Sequence, residues 1–362
     1  MINNRYTASL NQVSNYKELN EKIAAYRKEY LKNASLKMII IPTGIFVQSF
    51  EFMTSNTVQI SGYVWQKIAK KDLAQGVLPG VIFPEAKSVA LMEQAYEVDF
   101  DKYKLMAWRF SGATLLQNFN YSKYPFDVQD IWIRMWPKDF TKDVLLVPDF
   151  SSYKRTKSDS IFGLEKDIVK HGFEFKETYF DMPVLHYDTT FGFPPSLEEN
   201  NFLELYFNII IKRHLINSFL IHLSPIVVVW FILFAITMII TDKPQMASRV
   251  GLSTTQLFIA LGGTVFSLIL MHAGLRREYS EQPVLYLEYF YLITYVIIIL
   301  VSYNAYIVTT QKSLPKMLKN NLLAKTLFWP VILVFIIVLT ILKFFISEDY
   351  VGVSSHVMTP VS

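Results

Sequence analysis

The sequence predicts an all-β domain followed by four membrane-spanning helices, and three observations support this. Short runs rich in β-branched and aromatic residues occupy the chain up to about Arg213. Four long apolar runs follow, and each fits the roughly 17–25 residues that a helix needs to cross a bilayer, the fourth at the short end. The chain is 52% hydrophobic and 18% charged, whereas soluble domains are about 25% charged. We therefore expect a soluble β domain joined to a membrane domain.

The region 1–35 is expected to be a leader that precedes the β domain. Within it, residues 16–31 have the charge and spacing of a short amphipathic helix that packs on the domain. Residues 1–10 lack the apolar core of a signal peptide. This favours a mature or engineered start, with an upstream segment removed.

The β domain is expected to span 36–213. Residues 37–68 alternate between apolar and polar positions, as a half-buried strand does. Further strands are predicted at 104–110, 114–119, 130–136, 144–147, 173–180 and 203–211. Many short strands separated by turn residues are typical of a β-sandwich. The last strand continues into the first apolar run without a linker, so movement of this domain would reach the membrane.

The membrane domain is expected to span 214–345, with helices at 215–240, 250–271, 284–308 and 326–342. A soluble bundle would need polar helix faces, which the first and fourth runs almost lack. Lysine and arginine outnumber acids in the connections 241–249 and 309–325. Because basic residues collect in cytoplasmic loops, we expect these two connections in the cytoplasm. The N-terminal domain and the tail 346–362 would then be extracellular.

Composition excludes several classes of protein. A net charge of +4 is too small to indicate a nucleic-acid partner. The absence of cysteine excludes a disulfide scaffold and a cysteine-ligated zinc site. The chain contains no P-loop, HExxH or GxSxG motif, so an enzyme is not expected, and no cofactor is indicated. The four apolar runs show no internal repeat, which argues against a transporter.

The segment Tyr124-Pro125-Phe126-Asp127-Val128-Gln129 resembles the (F/Y)-P-F-D-x-Q motif of the pentameric ligand-gated ion channels, the Cys-loop receptor superfamily. Gln117 and Ile131 stand where animal members carry the two cysteines, so the chain resembles the cysteine-free prokaryotic branch. Residues 78–83 resemble the W-x-P-D-x-x-F segment, with Gly80 where aspartate is usual. Residues 248–255 resemble the start of the family's pore helix. The resemblance covers residues 36–345.

This resemblance implies an extracellular immunoglobulin-like sandwich, a four-helix transmembrane bundle and a ring of five identical subunits in the bacterial inner membrane. The expected partners are therefore four identical subunits, membrane lipids, permeating ions and a small-molecule agonist. Agonist binding between extracellular domains would open a pore lined by the second membrane helix. The alternative is a membrane-anchored ligand-binding sensor of the same fold that does not conduct.

One face of the second membrane helix is the candidate pore lining. Helical spacing places on this face Gly251, Thr255, Phe258, Gly262, Val265 and Ile269. A ring of five Phe258 side chains would form a hydrophobic constriction that stops ions by dewetting. The alternative is a stripe that only packs against neighbouring helices. Arg249, preceded by uncharged residues, argues against strong cation selectivity unless it serves as a cytoplasmic anchor.

The resemblance also implies an agonist site built from aromatic side chains between subunits. The matching positions are Trp65, Phe83, Trp108, Trp136, Tyr187, Phe191 and Phe193. Core packing is the alternative for each of them. The acidic residues Glu97, Asp99 and Asp101 are a candidate Ca²⁺ site that would modulate the channel, and a solvated turn is the alternative.

Coupling between the domains is assigned to the residues Pro125, Phe126, Asp127, Arg213 and Pro283. Asp127 and Arg213 match the family's expected ion pair at this junction. His222 and His272 lie in the membrane helices and are candidate proton sensors, with a buried, hydrogen-bonded histidine as the alternative.

Overall fold

The computed structural model describes residues 9–30, 38–89, 91–157, 160–192, 201–241, 254–280, 282–310 and 319–346. Their backbone separates into two compact units. The strand unit contains residues up to Phe119 and the range 128–212. The helix unit begins at Arg213 and also contains residues 120–127, which the sequence placed inside the β domain. Two candidate site residues lie outside the described residues: Gly251 of the proposed pore lining and Phe193 of the agonist site. Leu252 and Ser253 lie outside them as well.

The strand unit carries two helices and thirteen strands in its described part. The α-helices are α1 (Tyr16–Tyr30) and α2 (Lys70–Ala74), and α1 confirms the short helix predicted at residues 16–31. The strands are β1 (Gln12–Val13), β2 (Ile39–Thr54), β3 (Thr57–Ala69), β4 (Val81–Ile82), β5 (Ala86–Ser88), β6 (Leu91–Asp99), β7 (Tyr103–Leu116), β8 (Val128–Pro137), β9 (Val144–Pro148), β10 (Phe173–Asp181), β11 (Val184–His186), β12 (Asn201–Leu203) and β13 (Leu205–Arg213).

These strands form a five-stranded sheet in the order β1-β10-β13-β8-β4. A second sheet has six strands: five in the order β5-β7-β3-β2-β9, and β6, which also pairs with β7. β11 and β12 pair with each other in a separate two-stranded sheet. β2 and β9 run parallel, whereas β2 and β3 are antiparallel, so the larger sheet is mixed. The predicted β-rich N-terminal part is thus confirmed at the level of its strands.

The strands predicted at 104–110 and 114–119 are one strand, residues 103–116, which continues through Gly112, so this predicted break is wrong. Residues 39–54 also form one strand, which continues through Pro42 and Gly44. Pro42 is tolerated because the pairing of β2 with β3 begins only at Thr43, so that at Pro42 one side of β2 has no partner strand in this register. Gly112 has a φ of 64° beside a shift in the β3–β7 register, and its N–H bonds to Ser61 Oγ at 3.0 Å. A glycine with positive φ here forms a bulge rather than a turn.

The helix unit contains four long helices: α3 (Leu215–Ile239), α4 (Thr254–Glu278), α5 (Glu288–Thr310) and α6 (Leu322–Ile341). All four, α6 with its flanking turns, are long and apolar enough to cross a membrane. This confirms the expectation of a transmembrane protein with four spans. A π turn at Phe219–Leu223 lies just before Pro225 in α3, where proline removes a helical hydrogen-bond donor.

Polar contacts join the helices inside this unit. Trp230 of α3 donates its indole N–H to Thr294 of α5 at 2.8 Å. Asn321, at the start of α6, is fully buried and donates its side-chain amide to the carbonyl of Thr237 in α3 at 2.9 Å. Asn304 of α5 donates to the side chain of Asn321 at 2.8 Å. A buried amide that satisfies three helices fixes their mutual packing.

Candidate functional site

The predicted contact between Asp127 and Arg213 is present in the helix unit. The guanidinium of Arg213 makes two parallel bonds to the carboxylate, Nε to Oδ1 at 3.0 Å and a terminal nitrogen to Oδ2 at 3.2 Å. The backbone N–H of Arg213 points at the carbonyl of Asp127, 3.4 Å away. Asp127 is 1% exposed. A bidentate pair of this kind is both strong and geometrically specific.

Three tyrosines surround this ion pair, and of these only Tyr124, in the motif, was named in the sequence analysis. Arg213 lies over the ring of Tyr124, 4.9 Å from its centroid, and 5.9 Å from that of Tyr121. Tyr279, just after α4, packs on both rings at 4.9 Å. Burial lowers the pKa of Arg213, but the carboxylate of Asp127 and the phenols of Tyr279 and Tyr124 together outweigh burial, so the pKa is raised. Burial also raises the pKa of all three phenols, which therefore stay neutral donors.

The loop 120–127 is attached to three parts of the helix unit. Tyr124 donates its hydroxyl to Ser218 of α3 at 3.2 Å. The backbone N–H of Tyr286, before α5, bonds to the carbonyl of Ser122 at 3.0 Å. Phe126 packs edge-on against Phe344, which follows α6, at 5.7 Å. We call this set the loop cluster: Tyr121, Tyr124, Phe126, Asp127, Arg213, Tyr279 and Tyr286.

The remaining coupling candidates differ in their surroundings. Pro125 is buried within the loop cluster, whereas Pro283 is exposed. In the connection between α4 and α5, Tyr279 and Tyr286 make the aromatic contacts with the loop. The sequence did not single out Tyr279 and Tyr286 as coupling residues, because the chain has 21 tyrosines and most of them could be core residues.

A buried carboxylate lies at the junction of α4 and α5. Glu288 is 2% exposed and accepts bonds from Arg276 at 2.7 Å and from the backbone N–H of Leu285 at 2.8 Å. His272 lies 3.4 Å from the same carboxylate and is stacked on Tyr291 at 5.0 Å. His272 is therefore a hydrogen-bonded histidine beside an acid. His222 packs edge-on with Tyr124 at 6.1 Å.

The candidate pore-lining residues lie mostly away from the core of the helix unit. The buried stripe of α4 is formed by Leu257, Leu261, Leu268 and Leu275. Thr255, Phe258, Gly262 and Ile269 are exposed, and Val265 is half-buried. Other large side chains share the exposed half of α4, among them Ile259 and Phe266. The predicted stripe is thus available to water, lipid or another copy of the chain.

Three of the candidate ligand residues cluster in the strand unit. Trp136 lies 6.0 Å from both Tyr187 and Phe191, and these two rings are 5.4 Å apart. The guanidinium of Arg134, two residues earlier on β8, lies 5.1 Å from the centroid of the Trp136 ring. The cation that contacts Trp136 is therefore a side chain of the protein itself.

Arg134 also binds two carboxylates and a phenol. It forms ion pairs with Glu85 and with Glu204, the latter at 3.4 Å, and donates to the hydroxyl of Tyr187 at 3.1 Å. Tyr187 in turn donates to Glu204. Burial raises the pKa of both Glu85 and Glu204, and the adjacent guanidinium offsets part of this effect. Sequence reasoning identified Tyr187 but missed Glu85, Arg134 and Glu204, because these three residues come from separate segments of the chain.

The other aromatic candidates have different neighbours. Phe83 is buried against Phe110 at 5.1 Å, as a core residue would be. Trp108 on β7 is half-buried. Trp65 on β3 donates its indole N–H to Asp149 at 3.0 Å and packs on Tyr153 at 5.6 Å. The structure brings Trp136, Tyr187 and Phe191 together and places Trp65 in a separate cleft.

The acidic candidates for Ca²⁺ carry lysine partners. Glu97 pairs with Lys104 at 2.6 Å and Asp99 with Lys70 at 2.5 Å, and these contacts lower the pKa of both acids. Asp101 is exposed in the turn after β6. Among the described residues, no group of three histidine, aspartate or glutamate side chains is arranged to hold a metal ion.

No protein-family model matches this chain, and no curated protein is significantly similar to it. The resemblance to the pentameric channels therefore depends on the motifs of the sequence alone, and a function of that kind is a proposal.

Proposed function

We propose that the chain forms a homopentameric ligand-gated ion channel. In this proposal the strand unit is an extracellular immunoglobulin-like sandwich, and the connections 241–249 and 309–325 are cytoplasmic. α4 lines the pore through the candidate stripe. Small-molecule agonists bind to the aromatic residues of the strand unit. The pore would conduct ions without strong cation selectivity.

The observation that carries this proposal is the division of α4 into two faces. Four of its leucines pack inside the helix unit, Leu257, Leu261, Leu268 and Leu275, while Thr255, Phe258 and Gly262 are exposed with most of the rest of the helix. A single membrane helix cannot enclose a channel, so such a face can line a pore only when copies repeat around an axis. Thr255 supplies a hydroxyl, and Phe258 supplies an apolar constriction.

The loop cluster supplies a physical route between ligand and pore. Arg213 is the last residue of β13 and lies two residues before the start of α3. Asp127 directly precedes β8, and β8 pairs with β13 up to the partners Val128 and Lys212. A displacement along these two strands would therefore change the geometry of the ion pair. The aromatic contacts of the loop with Tyr279 and Tyr286 would change with it.

Two measurements test the proposal. Native mass measurement in detergent should give about 210 kDa, five times the 42.0 kDa chain. Planar bilayers containing the purified protein should show currents when small ligands are added, and vesicles without protein are the control. A monomer under mild conditions would contradict the ring. A pentamer that binds ligands but carries no current under any ligand, pH or Ca²⁺ condition would favour the non-conducting sensor.

A further inference from the structure

A cleft of about 450 Å³ opens on the strand unit beside Trp65. Its walls include the aromatic side chains of Phe46, Trp65, Tyr153 and Phe162, and its rim includes Lys154 and Arg155. Sites for small molecules usually have volumes of roughly 300–1,000 Å³ and combine an apolar wall with a few polar groups. The cleft thus has the size and the composition of a ligand site.

The aromatic walls are held in place before any ligand binds. The hydroxyl of Tyr153 exchanges two hydrogen bonds with the backbone of Ile45, both at 2.8 Å. Phe162 is fixed by two backbone bonds to the hydroxyl of Thr178, also at 2.8 Å. Trp65 lies against Gly44, where an added Cβ would come within 2.3 Å of the indole ring. A preformed site loses little conformational entropy when a ligand binds.

The acid nearest to these walls is already neutralised. Asp149 is 1% exposed and accepts bonds from the ammonium of Lys67 at 2.8 Å and from the indole of Trp65 at 3.0 Å. The hydroxyls of Ser151 and Ser152 bond to the same carboxylate. Burial works against the charge of Asp149, but these donors outweigh it and lower its pKa. Its negative charge is therefore not offered to a ligand.

The rim carries the opposite charge. Lys154 and Arg155 are exposed, and neither forms an ion pair with an acid of the described part of the chain. Among the described residues that line the cleft, none is acidic. An aromatic wall beside two cations is complementary to an anion with an apolar body, and a guanidinium binds a carboxylate through two parallel hydrogen bonds.

We propose that this cleft binds a small aromatic carboxylate. The ring lies against Trp65 and Phe46, and the carboxylate is held by Lys154 and Arg155. The inference deepens the proposed function, since Trp65 is one of the candidate agonist residues, and it names the chemical class of ligand as anionic. At Trp136, by contrast, Arg134 already occupies the position of a cation.

The test measures ligand binding to the full chain in detergent by saturation-transfer NMR. The probes are benzoate, phenylacetate and indole-3-acetate, each compared with the amine of the same ring: benzylamine, phenethylamine and tryptamine. We expect at least one carboxylate to bind at least tenfold more tightly than its amine, and the affinity to fall with added salt. Equal binding of acids and amines, or no binding of any of the three acids, would overturn the proposal.

Variants locate the site. The double variant Lys154→Gln, Arg155→Gln should weaken binding of the carboxylate at least tenfold. Lys166→Gln removes an exposed lysine outside the lining and should leave it unchanged. Wild-type affinity in the double variant would reject these two cations as the binding groups. Binding needs no current, so a chain that binds carboxylates but never conducts refutes the channel alone. A conducting chain without carboxylate binding refutes the cleft alone.

Discussion

Asp127 and Arg213, 86 residues apart in the sequence, form a buried bidentate ion pair whose guanidinium lies over the ring of Tyr124. Both charges are removed from water, which costs several kcal/mol per ion unless the partner and its hydrogen bonds are in place. The pair is therefore stabilising only while it is intact. This property makes it sensitive to small displacements of either strand end.

Breaking this pair on one side should destabilise the protein severely. Reversing either charge, Asp127→Arg or Arg213→Asp, places two like charges side by side in a buried site and should cost at least the roughly 3–5 kcal/mol of removing one partner. Reversing both should recover part of that loss. The measurement is a double-mutant cycle on unfolding of the purified protein in detergent. Additive effects would show that the two side chains do not interact, and the exposed pair Lys176–Glu174 serves as the control with a coupling below about 1 kcal/mol.

Asn321 should prove essential to the packing of the helix unit. It is buried with a φ of 61°, and Asn321→Gly keeps this backbone conformation possible while it removes both side-chain hydrogen bonds. The carbonyl of Thr237 and the amide of Asn304 then lose a partner, which costs about 1–3 kcal/mol. A lower midpoint of thermal unfolding would be the result.

Asn320→Gly is the matched control for that experiment. Asn320 has a similar φ of 55° but is exposed. Its replacement by glycine should lower stability clearly less than Asn321→Gly does, because water can bond to groups that an exposed side chain leaves without a partner. If the two variants unfold alike, the buried amide contributes nothing beyond its backbone conformation.

The features predicted correctly from the sequence are those that one segment encodes by itself. Apolar length identified the four membrane helices, and residues 16–31 showed the helix α1. The contact between Asp127 and Arg213 was predicted from a motif and a chain position. Strand β6 was missed although Tyr96 and Val98 alternate with Glu97 and Asp99, because these two acids were assigned to a candidate Ca²⁺ site or a solvated turn; the described side chains of this strand, from Met92 to Asp99, are all exposed.

What the sequence did not predict depends on contacts between distant segments. Arg134 was not identified as a functional residue, because the carboxylates that bind it belong to Glu85 and Glu204 on other strands or turns. Tyr279 likewise acquires its role only when residues 120–127 pack with the helices. Pairing of this kind follows from tertiary packing, and local residue patterns do not report it.

The strand unit should lose stability as the pH rises through the range 4–6 because of Asp181. Burial raises the pKa of this carboxyl from 3.8 to about 6, against the hydroxyl of Ser9 and the charge of Lys22. An acid whose folded pKa is raised binds its proton more tightly when folded, so its ionisation above pH 6 is unfavourable by about 3 kcal/mol. Asp130, whose pKa burial and the charge of Asp181 also raise, titrates together with it.

Asp181→Asn removes this ionisation. The variant should therefore gain stability relative to the parent between pH 4 and pH 7, measured as the difference between their unfolding midpoints at each pH. Asp101→Asn, at an exposed position, should follow the parent throughout. Curves for Asp181→Asn and the parent that stay parallel across this range would show that Asp181 does not titrate there.

Phe258 should act as the hydrophobic gate of the proposed pore. Its side chain is 41% exposed on α4, whereas its neighbour Leu257 is 5% exposed within the leucine stripe. Phe258→Ser replaces an apolar ring with small hydroxyls that hold water, so it should raise resting conductance or shift activation to lower agonist. Leu257→Ser, about 100° round the helix, should instead lower thermal stability and expression, because it places a hydroxyl in the packed interior. The two variants are compared by bilayer currents and by unfolding midpoints. If Leu257→Ser opened the channel and Phe258→Ser did not, the rotation of α4 assumed here would be wrong, and Thr255, Gly262, Val265 and Ile269 would lose their assignment to the pore.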